Sequence, residues 1–299
     1  MKKRMLSLVL AGVMTAALLT GCGDSAGSDA GSADGAAEET TEAAETEVSE
    51  ETAGDDAAAE DSSAEASGDS AGGTFKIGGI GPLTGSNAVY GIAAMNGSQI
   101  AVDEINAAGG INDMTVELNF QDDETDSEKS VNAYNALKDW GVQVLDGCVT
   151  SACSIAVSAK TAEDNIFQLT PSGSAVECVA NPNSFRICFS DPNQGVASAQ
   201  YIGEHSLATK VAVIYDSSDV YSSGIYEKFV TEAESQSFEV VTAGAFTADN
   251  KTDFSVQLQQ AKDAGADLVF LPIYYNEAAL ILKQAADMGF EVKFFGCDG

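Results

Sequence analysis

From residue 74 onward this 299-residue chain alternates short β-prone runs with helical stretches, and that rhythm restricts its fold more than any other feature. Residues 75–80 form a β-prone run, and residues 88–107 follow with apolar positions Ile92, Met95, Ile100 and Ile105 near helical spacing, closing on Gly109-Gly110. Residues 115–120 alternate Val116, Leu118 and Phe120 in the period of a strand. A helix is predicted over 127–140, opened by Asp126 or Ser127 and stopped at Gly141. Strand 142–145, helix 154–164 and strand 166–169 come next, with a turn at Pro171. A looser stretch leads to a run at 185–189 and then to Asp191-Pro192-Asn193-Gln194-Gly195, which reads as strong punctuation. The rhythm restarts with strands at 211–215, 238–243, 268–273 and 292–295, separated by helices at 222–235, 253–264 and 277–288. Strands regularly separated by helices imply βαβ units, hence an α/β fold with parallel sheets covered on both faces. The break near 191–195 divides the series into two α/β lobes, and the cleft between them is the natural binding place.

The N-terminal quarter is of another kind. Lys2, Lys3 and Arg4 precede an uncharged apolar run over 5–19, the length of a signal-peptide core and short for a membrane span. It ends in Leu19-Thr20-Gly21-Cys22, which resembles the bacterial lipobox and makes Cys22 the expected lipidation site. An ordinary secretory signal with a chance cysteine is the alternative. Residues 23–73 are almost wholly Ala, Ser, Gly, Thr, Asp and Glu, with no aromatic residue, Lys or Arg. Such a segment buries too little apolar surface to offset its chain entropy, and its like charges extend it, so it reads as a disordered tether. The expected organisation is therefore a lipoprotein signal peptide at 1–21, a lipid-anchored acidic linker at 22–73, a first lobe at 74–192 and a second at 193–299.

The formal net charge of −32 offers no basic stripe for phosphates and argues against a nucleic-acid partner. Beyond Cys22 there are Cys148, Cys153, Cys178, Cys188 and Cys297. Export permits disulfides, and the first four of these could pair in three ways among which sequence does not choose. A zinc site is disfavoured, because His205 is the sole histidine and no tight Cys-x-x-Cys pair exists. Gly78-Gly79-Ile80-Gly81-Pro82 lacks the glycine register of a dinucleotide loop, and Pro82 removes a needed N–H. No base lies near the hydroxyl clusters in sequence, and no nucleophile-elbow motif occurs, so neither an enzyme nor a cofactor is indicated.

Five motifs carry a family resemblance. Ile80-Gly81-Pro82-Leu83-Thr84-Gly85 followed by Tyr90-Gly91 resembles the opening of the branched-chain amino-acid (Leu/Ile/Val) binding proteins of ATP-driven (ABC) importers. So do Asp103-Glu104-Ile105-Asn106-Ala107-Ala108-Gly109-Gly110-Ile111, Gln121-Asp122-Asp123, Leu169-Thr170-Pro171-Ser172 and Asp191-Pro192-Asn193-Gln194-Gly195, in the family's order. The resemblance implies a type I periplasmic-binding-protein fold whose two Rossmann-like lobes close on a small-molecule amino acid. It also implies permease subunits as partners, extracytoplasmic membrane attachment through the lipid, and a monomer.

Local chemistry points the same way. Strand 142–145 leads through Cys148-Val149-Thr150-Ser151 into a helix, and strand 166–169 through Ser172-Gly173-Ser174 towards another. Hydroxyls at helix N-termini suit a carboxylate, although each alone is explained by ordinary capping. The resemblance places Thr150, Ser172 and Ser174 on the carboxylate, with Ser151 as a neighbour of weaker claim. It places Asp298 on the ammonium group and Tyr90 and Tyr274 on the cleft walls; Tyr221, at a third strand-to-helix junction, is a further wall. A ligand-sensing receptor module would use the same cleft, and aliphatic amides or urea would fit the same frame. Relatives continue past the Gly296-Cys297-Asp298-Gly299 position with elements that complete the first lobe, so the sequence reads as a fragment of a longer reading frame or a truncated product; if Gly299 is the true end, the first lobe is expected to show an open sheet edge and apolar face.

Overall fold

The computed structural model describes residues 72–299; the expected signal peptide, the expected lipidation site Cys22 and nearly all of the expected tether lie outside the described residues. Among the described residues no helix is long and apolar enough to cross a membrane.

The first lobe holds strands β1 (Thr74–Gly81), β2 (Thr115–Asp122), β3 (Val144–Gly147), β4 (Phe167–Thr170) and β5 (Ser184–Arg186) in the order β2-β1-β3-β4-β5, every neighbouring pair parallel. Helices α1 (Ala88–Ala107), α2 (Ser127–Trp140) and α3 (Ser151–Asp164) connect them. Helix α2 shows why these boundaries fall where they do. Asp126 Oδ1 accepts from the backbone N–H groups of Glu128 and Lys129 at 2.8 and 2.9 Å, and Gly141 closes the helix in the left-handed region at φ 93°. One face of the sheet packs Ile80 and Leu145 against Tyr134 and Leu137 of α2 and Val157 of α3. The other lies under α1 at its β1–β2 end. Towards β4 and β5 that cover stops, and Phe167 and Phe185 stack in the open with ring centroids 5.2 Å apart.

The second lobe holds β6 (Lys210–Asp216), β7 (Glu239–Phe246), β8 (Leu268–Leu271) and β9 (Lys293–Gly296) in the parallel order β7-β6-β8-β9. Its helices are α4 (Asp191–Glu204), α5 (Val220–Ala233), α6 (Ser255–Asp263) and α7 (Tyr275–Asp287). Strand alternation sorts the core into two layers. Val211 and Val213 of β6 face Ile202 of α4 and Ile225 and Phe229 of α5, whereas Ala212 and Ile214 face Leu258 of α6 and Ile281 of α7.

The sequence reading needs three corrections. Residues 142 and 143 do not join β3; Val142 N–H is used by Leu137 O closing α2, so the chain reaches the sheet at Val144. Helix α3 starts at Ser151, three residues before the predicted 154. The punctuation at Asp191–Gly195 does fall where the chain leaves the first sheet, but it is the first turn of α4 and not a loop; Pro192 is harmless there because a first-turn N–H has no helical partner. The expected lobe boundary at 192/193 thus falls inside that turn. All five described cysteines are unpaired.

Gly195 is where α4 meets α5 most closely: a Cβ there would stand 2.5 Å from Ile225 O and 2.8 Å from Phe229 N, both backbone atoms. Gly195→Ala forces the helices apart and is expected to destabilise the folded chain by about 1–3 kcal/mol, read as a lowered denaturant midpoint at unchanged slope.

Candidate ligand cleft

In a parallel sheet every strand hands its chain to a loop at the same edge, and ligands collect where strand order reverses. That reversal falls between β1 and β3 in the first lobe and between β6 and β8 in the second. A cavity lies between these two points, lined from the first lobe by Tyr90, Val149, Thr150, Ser151 and Ser172 and from the second by Tyr221, Tyr274, Asp298 and Gly299. It is narrow. Its volume is about 50 Å³. That corresponds to roughly three to five waters, the scale of a small metabolite.

The first-lobe wall is polar and uncharged. Thr150 is the N-cap residue of α3 but makes no capping bond, and its buried Oγ1 has no hydrogen-bond partner among the described residues. The first N–H groups of α3 therefore face the cavity edge without a side-chain cap, leaving the positive end of the helix dipole unanswered. Ser172 Oγ donates to Val149 O at 2.6 Å, which pins the β4 loop to the β3 loop. Ser151 turns the other way: its Oγ accepts from Ser174 N and Ala175 N at 3.1 and 3.2 Å. Tyr90 is delivered by the first turn of α1, which sits directly on the loop after β1; a Cβ on Gly91 would meet Pro82 O at 1.9 Å.

The second-lobe wall is aromatic and acidic. Tyr274 is the N-cap of α7, and its ring stacks on Tyr221 at 5.0 Å and tilts against Tyr90 at 5.9 Å. Tyr221, nearly fully buried, donates from Oη to Asp298 Oδ1 at 3.0 Å and lies 3.3 Å from Cys297 Sγ. Burial, with Cys297 and Asp298 adding to it, pushes the Tyr221 phenol upward; burial does the same for Tyr274 and Tyr90. All three are neutral phenols at ordinary pH. Asp298 is the one charged side chain among the lining residues, and no Lys or Arg joins it.

From residue 74 onward the chain matches a known family. The sequence profile of the family described as periplasmic binding protein matches residues 74–299. The chain belongs to this family. The Leu/Ile/Val-binding protein homolog 1 of Brucella suis biovar 1 (strain 1330) is 32% identical over 225 residues, covering 74% of this chain and 60% of that protein. The branched-chain amino-acid transporter substrate-binding protein LivJ of Streptococcus pneumoniae, solved with isoleucine, superposes with a TM-score of 0.69 at 32% identity, covering 75% of this chain and 64% of that one. The leucine-binding protein LivK of Thermotoga maritima gives 0.68 at 28% identity, covering 74% and 63%. The chain thus spans about 60% of the length of the curated relatives it matches.

Of the eight ligand-binding positions expected from sequence, seven line this periplasmic-binding-protein cavity. Ser174 does not. It is buried behind the wall, and its carbonyl accepts from Arg186 Nη1 at 2.8 Å and from Asp191 N at 3.0 Å, where the chain passes into the second lobe. A serine one residue beyond a glycine looks the same in sequence whether it faces the cavity or the hinge. The sequence reading also passed over Val149 and Gly299 as lining residues. It passed over Tyr275 too, whose ring meets Tyr90 edge-on at 5.7 Å; the doubled tyrosine at a strand-to-helix junction was the available signal.

Under the first-lobe wall, Asp123 is fully buried, its Oδ1 accepting from Thr125 N at 2.9 Å and its Oδ2 without a partner. Burial pushes its carboxyl up to about 6. The folded state then holds this proton more tightly than the unfolded chain, whose carboxyl titrates near ~3.9, so wild-type stability declines as pH rises from about 4 through about 6. Asp123→Asn keeps the Oδ1 acceptor and removes the titration. The variant is expected to be more stable than wild type by roughly 1–3 kcal/mol at pH 7.5, a gain that shrinks towards zero by pH 4 in thermal melts.

Proposed function

We propose that this chain is the solute-capturing part of an ATP-driven importer, which binds a branched-chain or related amino acid by closing its lobes and passes it to a membrane permease. The observation that carries this reading is the opposition of two walls. An uncapped helix N-terminus with a free buried hydroxyl stands on one side, and a lone carboxylate flanked by aromatic rings stands on the other. Such a pair complements a zwitterion. A neutral amide or urea would leave both the dipole end and Asp298 without a charged partner, so amino acids are favoured. The names of the matched relatives agree with this choice.

In the proposed complex, Thr150 Oγ1, Ser172 and the first N–H groups of α3 hold the carboxylate. Asp298, oriented by Tyr221 Oη, takes the ammonium group. Tyr90, Tyr221, Tyr274 and Val149 enclose the side chain; Ser151 supports the seat from behind. Capture is closure: a ligand touching both walls binds the closed form better than the open one, and only that difference shifts the equilibrium. Cys22 is the proposed lipid anchor on the extracytoplasmic face, with the acidic segment holding a monomeric binding unit near its permease. The chemistry is binding and release, with no reaction.

Calorimetry and thermal shift on the chain with leucine, isoleucine, valine, acetamide and urea test this reading. A selective rise in melting temperature with the aliphatic amino acids is expected, since only a ligand of the native state stabilises. Thr150→Val, which removes the hydroxyl at constant shape, should weaken binding about ten- to hundredfold, the worth of a hydrogen bond to a charged group. A cooperative melt indifferent to every amino acid would sink the proposal.

A further inference from the structure

Among the described residues the chain passes between the two sheets once, through the segment joining β5 to α4. How the lobes sit is therefore governed by what bridges the cleft. Two of the side-chain hydrogen bonds that do so converge on one atom. Tyr275 Oη donates to Ser86 O at 3.1 Å, and Asn276 Nδ2 donates to the same oxygen at 2.6 Å. Tyr275 also sets its ring edge-on against Tyr90. Ser86, Tyr275 and Asn276 do not line the ligand cavity.

Both partners are preorganised. Ser86 lies in the loop between β1 and α1, and that loop is tied to the first lobe on both sides of it. Asp122 accepts from Leu83 N at 2.8 Å and from Thr84 Oγ1 at 2.6 Å, and Asn87 Nδ2 donates to Thr125 Oγ1 at 3.2 Å. Tyr275 and Asn276 are the first two residues of α7. A backbone carbonyl has two lone pairs, so one oxygen serves both donors without competition.

We infer that Tyr275 and Asn276 are positioning residues that latch the closed form through the Ser86 carbonyl, and so set affinity for every ligand by one common factor. The inference rests on the capture-by-closure reading for its effect on ligand, while the latch itself concerns the lobes alone. A contact made only when the lobes meet raises the closed population, and apparent affinity scales with that population. Because the latch does not touch the cavity, it has no means of telling one side chain from another. The gain appears mainly as slower dissociation.

Tyr275→Phe keeps the ring on Tyr90 and removes the donor. Asn276→Asp keeps the shape and replaces the donor by an acceptor facing a carbonyl. The double variant, made in the full chain, is compared with wild type by calorimetry, by stopped-flow dissociation and by small-angle scattering without ligand. The expected result is an affinity about tenfold weaker for leucine, isoleucine and valine alike, with faster dissociation. The ligand-free radius of gyration should be larger and the ligand-free melting temperature unchanged. A loss confined to one ligand would make these residues ligand contacts and overturn the latch, as would unchanged affinity together with an unchanged radius. Should wild type bind no amino acid, the capture reading fails, and the scattering comparison alone still decides whether the latch exists.

Discussion

Parallel pairing is the constraint on which the rest of this structure depends. Once β1 to β5 run in one direction, and β6 to β9 likewise, every loop that follows a strand emerges at one edge of its sheet and every following helix presents its N-terminus there. The residues that meet at the cavity are scattered from Tyr90 to Gly299 in sequence, yet each follows a strand: β1, β3 and β4 in one lobe, β6, β8 and β9 in the other. The layered cores hold these edges in register. Val211 and Val213 face one helical layer and Ala212 and Ile214 the other, so β6 cannot slip by one residue without exchanging its two faces.

That geometry also sets the electrostatics. In a chain whose full sequence is strongly acidic, the lining of this cavity contains a single carboxylate and no cation. Any anionic group accommodated there must be held by backbone N–H groups and hydroxyls. Such donors are fixed dipoles that do not relax when the site empties, and each contributes modestly. A binding protein that must also release its ligand is better served by several modest contacts than by one buried ion pair, whose rupture is costly. The tyrosines fit the same economy: as neutral phenols they supply apolar area and, through Tyr221 Oη, orient Asp298 without adding charge.

Much of this was legible in the sequence because the signals were local. The periodicity of 115–120 and the Asp126 to Gly141 frame of α2 map directly onto elements, and hydroxyl or tyrosine residues at strand-to-helix junctions map onto the cavity. What was illegible depended on the opposite lobe or on a neighbouring helix. Pro192 and Gly195 look like helix breakers until α5 is known to lie against Gly195, where only a glycine permits the approach. Ser174, one residue beyond a glycine, gives no sign in sequence that its carbonyl serves Arg186 and Asp191 at the crossing. Tyr275 gains its meaning only from Ser86, far away in the chain and on the other side of the cleft.

Closure imposes a balance on those cross-cleft contacts. On the capture reading, ligand reaches the cavity through the open form, so bonds that favour the closed form raise affinity only while the open form remains populated. Two hydrogen bonds to one partly solvated carbonyl are well matched to that requirement, since water can replace either donor when the lobes part and each bond's net contribution is about 1 kcal/mol. A buried apolar interface at the same place would hold the lobes shut. The aromatic contacts stop short of that, because they span the cleft only where Tyr90 meets Tyr274 at a tilt and Tyr275 edge-on, instead of through a packed layer. Weak polar latching outside the cavity and graded aromatic contact within it leave the decisive increment of closing energy to whatever bridges Thr150 and Asp298.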